Sequence, residues 1–166
     1  MVEAYGRAAR SNAKVPQPLV VPHENLAVAM AHGAYAMTGR MQAVMLHVNV
    51  GTANAINNIL NMNRDRVPLM LVAGRTPIME KEAFGSRNRP VHWGQEMFDQ
   101  ASMLREAVKW DYELRAPEQA SDVVCRAHEV SMTSPRGRHL FQMISCHPRR
   151  VLCQHGPILM QMLSAN

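Results

Sequence analysis

Apolar positions fall into short blocks separated by turn residues, and the spacing within each block predicts the element. Leu19 to Val21 reads as a short strand closed by Pro22. From Leu26 to Met37 nearly every residue is small or apolar, broken only by His32, Gly33 and Tyr35. That pattern predicts a helix, entered at Glu24, that is apolar on all faces and lies inside a domain. Gln42 to Asn49 (QAVMLHVN) is an apolar run of strand length, expected to be buried on both faces. Gly51 and Thr52 then open a helix over Ala53 to Arg64, and Val67 to Ala73 (VPLMLVA) is a second buried strand ended by Gly74. The β-α-β-α-β alternation predicts a doubly wound α/β fold. Its mainly parallel sheet, of about five or six strands, is flanked by helices.

Weaker patterns fill the remainder. Val2 to Arg10 reads as a helix, followed by a polar linker with Pro16 and Pro18. Arg75 to Val91 has no periodicity and many charges, which predicts a long loop of the kind that carries function. Gln95 to Leu104 is expected to be helical, and Ala107 to Leu114 to be a more exposed strand with Val108, Trp110 and Tyr112 on one face. Pro117 sits in the first turn of an amphipathic helix running to about Met132, with Val123, Val124, Ala127 and Val130 as its inner stripe. Ser134 to Gly137 (SPRG) is a turn, and His139 to Ile144 is a candidate last strand.

Composition narrows the class. The 166 residues fit one domain with a proper core. No apolar run reaches the ~18 residues of a membrane span, and the opening residues lack a signal-peptide core, so no membrane association is expected. Three cysteines, Cys125, Cys146 and Cys153, make no disulfide framework and suit the cytoplasm. The net charge of +5 is not a nucleic-acid signature, because 14 basic residues nearly balance 13 acidic ones over residues 1–134. The excess comes from Arg136, Arg138, Arg149 and Arg150. Neither a nucleic-acid motif nor a CxxC or HxxxH metal unit is present, so no metal site is assigned to this chain.

The chemistry centres on Glu24, a carboxylate in the first turn of an apolar helix just past a strand. Such a residue complements the helix dipole, and the same place in an open α/β sheet is where ligands bind. An apolar surrounding is expected to raise its pKa. The ordered segments HENLAVAMAHG, TGR, HVNVGTANA, VPLMLVAGR, SRNR, HWGQEMFDQ and VKWDYELR resemble the N-terminal, pyrimidine-binding domain of thiamine diphosphate enzymes. The likeness is strongest to the acetolactate synthase and benzoylformate decarboxylase group and covers about residues 15–137.

The resemblance implies roles. Glu24 corresponds to the glutamate that hydrogen-bonds N1′ of the aminopyrimidine and so favours proton removal from the thiazolium. The cofactor then serves as electron sink for decarboxylation of, or acyl transfer from, a 2-keto acid. His47 corresponds to an active-site histidine that moves protons; taken alone, a strand-end histidine is equally a core residue bonded to backbone. Gly51, Thr52 and Asn54 correspond to the turn beside the cofactor, with the glycine permitting close approach. His23, Asn49 and Gln95 fall on the substrate side, His23 being alternatively only a helix cap. The family pairs two such domains, which implies a homodimer or pairing with a GDG-containing domain that holds the diphosphate and Mg²⁺.

The likeness stops at Gly137. Residues 1–137 are expected to form the domain, with its opening strand clipped, and residues 138–166 a divergent basic tail of frame-shifted character. No GDG occurs in this sequence. A fragment inactive alone, a non-catalytic interaction or regulatory domain, and one chain of a split two-chain decarboxylase all accommodate these features. Limited proteolysis is expected to remove residues from about Ser145 onward while the body survives, because that stretch has no regular periodicity. Protection of the tail from protease and from hydrogen exchange is the opposing result.

Overall fold

A computed structural model describes residues 2–11, 15–81, 85–136 and 139–144 of the chain. Its elements are α1 (Val2–Arg10), α2 (Glu24–Thr38), β1 (Gln42–Leu46), α3 (Val48–Asn54), α4 (Ile56–Arg64), β2 (Leu69–Arg75) and α5 (Val91–Gly94). They are followed by β3 (Trp110–Leu114), α6 (Ala120–Met132) and β4 (His139–Ile144), with 3₁₀ turns at Ala101–Ala107 and Pro117–Gln119. The four described strands form one sheet in the order β1-β2-β4-β3, and every neighbouring pair is parallel.

Strand β2 explains the layering. Its side chains alternate between the two sheet faces, and both faces are apolar. Leu69, Leu71 and Ala73 join Val44 and Leu46 of β1, Val28 and Ala31 of α2, Ile59 and Met62 of α4, and Leu104 in one core. Met70 and Val72 join Leu114, Val123, Val124 and Ala127 in the other. The sheet therefore carries α2 and α4 on one side and α6 on the other, the expected doubly wound α/β arrangement.

Several local expectations give way to tertiary constraints. Leu19 to Val21 forms no strand: Leu19 is 70% and Val20 95% exposed. Prolines at 18 and 22 bracket those three residues, and a proline cannot donate to a ladder. Strand β1 stops at Leu46 rather than Asn49 and is an edge strand with Ala43 and Met45 exposed, so it is buried on one face only. The following helix starts at Val48, not at Ala53, and breaks at the buried Ala55 before continuing as α4. Strand β2 runs through Gly74 to Arg75.

Helix α2 begins at Glu24 as expected and ends in a left-handed cap at Gly39, φ 68°, whose N–H donates to Tyr35 O at 2.7 Å. It is not buried all round. Val28 and Ala31 face the sheet, whereas Leu26, Met30 and Met37 are exposed. Gln95 to Gln100 is irregular, and the 3₁₀ turn over Ala101–Ala107 buries Ala101, Leu104 and Ala107 instead. In α6 the inner stripe ends on Ser131 rather than Val130, because 124, 127 and 131 follow the helical period. Strand β4 coincides with the expected last strand and lies between β2 and β3. The tail is expected from residue 138 onward, but residues 139–144 pair within the sheet as β4; residues 145–166, where the proteolysis expectation falls, lie outside the described residues.

The long connection after β2 is organised by one enclosed guanidinium. The Arg87 side chain is only 5% exposed. Its Nη2 lies 2.6 Å from Glu96 Oε1, its Nε donates to Pro77 O at 2.7 Å, and its backbone N–H donates to Met79 O at 2.9 Å. The guanidinium carbon also sits 5.7 Å from the Trp93 ring centroid. Four points of the loop are thus tied to one residue. The paired Arg87 holds the Glu96 carboxyl below its ordinary range. A depressed folded pKa means that the pair stabilises the fold above the unfolded-state pKa and that this contribution disappears as pH falls through the folded value. Glu96→Gln is expected to lower the melting temperature at pH 7 and to raise amide exchange around residues 77–96. The gap from wild type should close on acidification, as followed by calorimetry at pH 7 and pH 3.

Candidate active site

Parallel pairing puts the carboxyl ends of β1 and β2 side by side. Leu46 is in register with Ala73, so His47 leaves the sheet next to Gly74. Glu24 starts α2 close by. His23 caps that helix, its Nδ1 accepting from Asn25 N–H at 3.2 Å. Asn25 then latches the first turn of α2 to α4: Asn58 N–H donates to Asn25 Oδ1 at 3.1 Å, and Asn58 Nδ2 donates to Asn25 O at 2.8 Å. This two-bond latch fixes the direction in which Glu24 points.

Glu24 points at α3. Its Oε2 accepts from Asn54 Nδ2 at 3.2 Å, and the carboxylate lies on the backbone of Gly51. A β-carbon at position 51 would meet Glu24 Oε1 at 3.1 Å and Cγ at 3.3 Å, so only glycine leaves the carboxylate undisturbed there. The electrostatics differ from the expectation of a raised pKa. Glu24 is held below the ordinary carboxylate range, first by its own backbone N–H, then by the Asn54 amide. These outweigh the desolvation that would raise it, and His23 and His47 add smaller favourable contributions. The half-buried site is lined by donors, not by hydrocarbon alone.

His47 opens onto a cleft of about 490 Å³ beyond β1 and β2, shared with Gly74, Ser86, Asn88, His92 and Gln95. The His92 ring is oriented by Asn88, whose backbone N–H donates to His92 Nδ1 at 3.3 Å. The residue after His47 is strained: Val48 has φ 39°. A β-branched side chain rarely adopts such a backbone, at a cost of about 1–3 kcal/mol. Val48 is nonetheless buried, with Gly74 beside its Cγ1.

Glu24, Gly51 and Asn54 therefore come together, and His47 and Gln95 meet in the adjoining cleft. Thr52 is fully buried, its hydroxyl donating to Val48 O at 2.7 Å and accepting from Gln100 Nε2 at 3.2 Å. Asn49 turns its Oδ1 back to the N–H of Val50 at 2.8 Å, and His23 acts as a cap. Reading the sequence missed Gln100, the Asn25–Asn58 latch, Arg87 and His92. Their polar side chains stand in segments where many polar residues are simply solvated, and nothing in the spacing separates the two kinds.

Residues 5–103, more than half of the chain, match the family described as thiamine pyrophosphate enzyme, N-terminal TPP binding domain. The acetolactate synthase large subunit of Haemophilus influenzae is 27% identical over 122 residues, which are 72% of this chain and 19% of that protein. A Mycobacterium smegmatis protein assigned to the thiamin diphosphate-dependent enzymes superposes with TM-score 0.61 at 27% identity, covering 74% of this chain and 22% of that one. Benzoylformate decarboxylase from Polynucleobacter necessarius shares the fold, with TM-score 0.64 at 19% identity over 85% of this chain and 29% of its own. This chain thus spans about a fifth of the curated relative's length. With a parallel sheet, a carboxylate packed on the helix that follows β1 and a family match over residues 5–103, the chain belongs to the thiamine pyrophosphate enzymes as their N-terminal TPP-binding domain.

Proposed function

We propose that this chain supplies the pyrimidine-binding half of a thiamine diphosphate-dependent, acetolactate synthase-like enzyme that acts on 2-keto acids by decarboxylation or acyl transfer. The observation that carries the reading is the Glu24 carboxylate, kept ionised against the bare backbone of Gly51. That arrangement fits an aminopyrimidine, because an anionic acceptor beside an uncluttered glycine can meet a ring nitrogen that carries a proton. When bound, the cofactor supplies the electron sink. With the cofactor bound, Glu24 would accept a hydrogen bond from protonated N1′, Asn54 would orient the carboxylate, and Gly51 would keep the approach open. His47 and Gln95 line the cleft for the keto acid, with His47 placed to hold or release a proton. Diphosphate and Mg²⁺ are assigned to a GDG-containing domain, whether on this polypeptide or another, and Thr52 serves by holding the α3 backbone.

Partnering is part of the same reading. Leu26, Met30 and Met37 of α2, Val50 of α3 and Leu60 of α4 are all large, apolar and exposed. Such faces mark association surfaces in soluble domains. Sedimentation of this chain at high concentration is expected to show self-association; a strictly monomeric profile would count heavily against pairing through these helices.

One charge-assisted hydrogen bond at Glu24 is worth roughly 1.5–3 kcal/mol, whereas micromolar affinity needs about 8 kcal/mol. This chain alone is therefore expected to bind thiamine diphosphate weakly and not to turn over pyruvate or benzoylformate. Adding a GDG-containing domain from a close relative should restore exchange of the cofactor's C2 proton, and Glu24→Gln should abolish it. Exchange at the wild-type rate in a Glu24→Gln complex would remove the assignment. Gly51→Ala separates site from fold. Its helix-propensity gain of about 1 kcal/mol offsets crowding, so stability should change little. The Glu24 carboxyl, displaced from Asn54, should titrate closer to its ordinary value by NMR.

A further inference from the structure

Gln100 is 3% exposed, yet it is the residue on which the end of β2 and helix α3 converge. Its Nε2 donates to Gly74 O at 3.1 Å, at the end of β2, and to Thr52 Oγ1 at 3.2 Å in α3. The Thr52 hydroxyl has one proton, which it gives to Val48 O at 2.7 Å. The chain of bonds therefore runs from β2 through a buried amide and a buried hydroxyl to the carbonyl of the residue whose φ is 39°. A left-handed valine persists only where its surroundings over-determine it. Here the network does so, beside Gly74, where even a β-carbon would stand in ordinary contact at 3.7 Å from Val48 Cγ1.

We propose that Gln100 is a positioning residue: through Thr52 it locks Val48 in its left-handed conformation and thereby sets the direction in which His47 enters the cleft. If Val48 relaxes toward ordinary φ, the peptide joining it to His47 turns and the imidazole moves with it. The proposal rests on the reading of His47 as a site residue, but the lock itself is tested without turnover.

The test uses the full 166-residue chain with ¹³C-labelled histidine. The His47 ring signal is identified by its loss in His47→Asn, and spectra are taken at one pH well above the imidazole range. Thr52→Val keeps the shape and removes the hydroxyl, whereas Thr52→Ser keeps the hydroxyl; Gln100→Leu cuts the network at its other end. Thr52→Val and Gln100→Leu are expected to shift the His47 signal by more than its linewidth while those of His32 and His128 stay in place, and Thr52→Ser is expected to restore it. With Val48→Gly, where a left-handed φ costs nothing, Thr52→Val should move His47 less than half as far. An unmoved His47 signal in folded Thr52→Val, or no recovery in Thr52→Ser, overturns the proposal. Should Gln100→Leu not fold, the two Thr52 variants decide. If His47 moves as expected but His47→Asn leaves turnover of the assembled enzyme unchanged, the lock stands and the role of His47 falls.

Discussion

Strand β2 has no polar face, and the rest of the molecule follows from covering both of its sides. One set of its side chains requires α2 and α4; the other requires α6. Its backbone is paired along both edges, to β1 and to β4. Because all these pairings are parallel, the carboxyl ends of the strands emerge along one edge of the sheet. In such sheets the ligand crevice lies outside the carboxyl ends of the strands, and here that edge holds His47, Gly74 and the Arg87-organised loop.

The site is a product of contacts between helices rather than of any one segment. Glu24 belongs to α2, Gly51 and Asn54 to α3, and the Asn25–Asn58 latch fixes α2 against α4. Each contact is ordinary in strength, about 1 kcal/mol for a neutral hydrogen bond. Their value is geometric: they keep an anionic acceptor ionised and aimed. Donors around a carboxylate stabilise its charged form, so Glu24 remains below the ordinary range despite partial burial.

Strain and rigidity meet at the end of β1. A left-handed valine costs free energy that a loosely packed loop would release by relaxing. Val48 is buried beside Gly74, and its carbonyl is held by Thr52, which Gln100 in turn bonds. The long loop on the other side of the cleft gains order from Arg87 in the same way, through several bonds to one enclosed cation.

The sequence by itself determined the class of fold, the helix beginning at Glu24, the buried second strand, the helix after Pro117 and the last strand His139–Ile144. These are set by periodicity and turn residues, which act within a few positions of themselves. Glu24 is legible as a carboxylate at the start of an apolar helix, whereas Gly51 and Asn54 are legible only through the family resemblance of HVNVGTANA. Tertiary structure alone decided that β1 lies at the edge of the described sheet and that one face of α2 remains uncovered. It also decided that Thr52 turns inward, that Gln100 links the end of β2 to α3, and that the Glu24 pKa moves down instead of up. The Gln100 link depends on Gly74 and Thr52, and the Glu24 shift in part on Asn54 after its own backbone N–H, all three partners lying far away in the chain. A hydrogen bond's partner is fixed by where the packed sheet brings two backbones together, and local pattern carries no record of that distance.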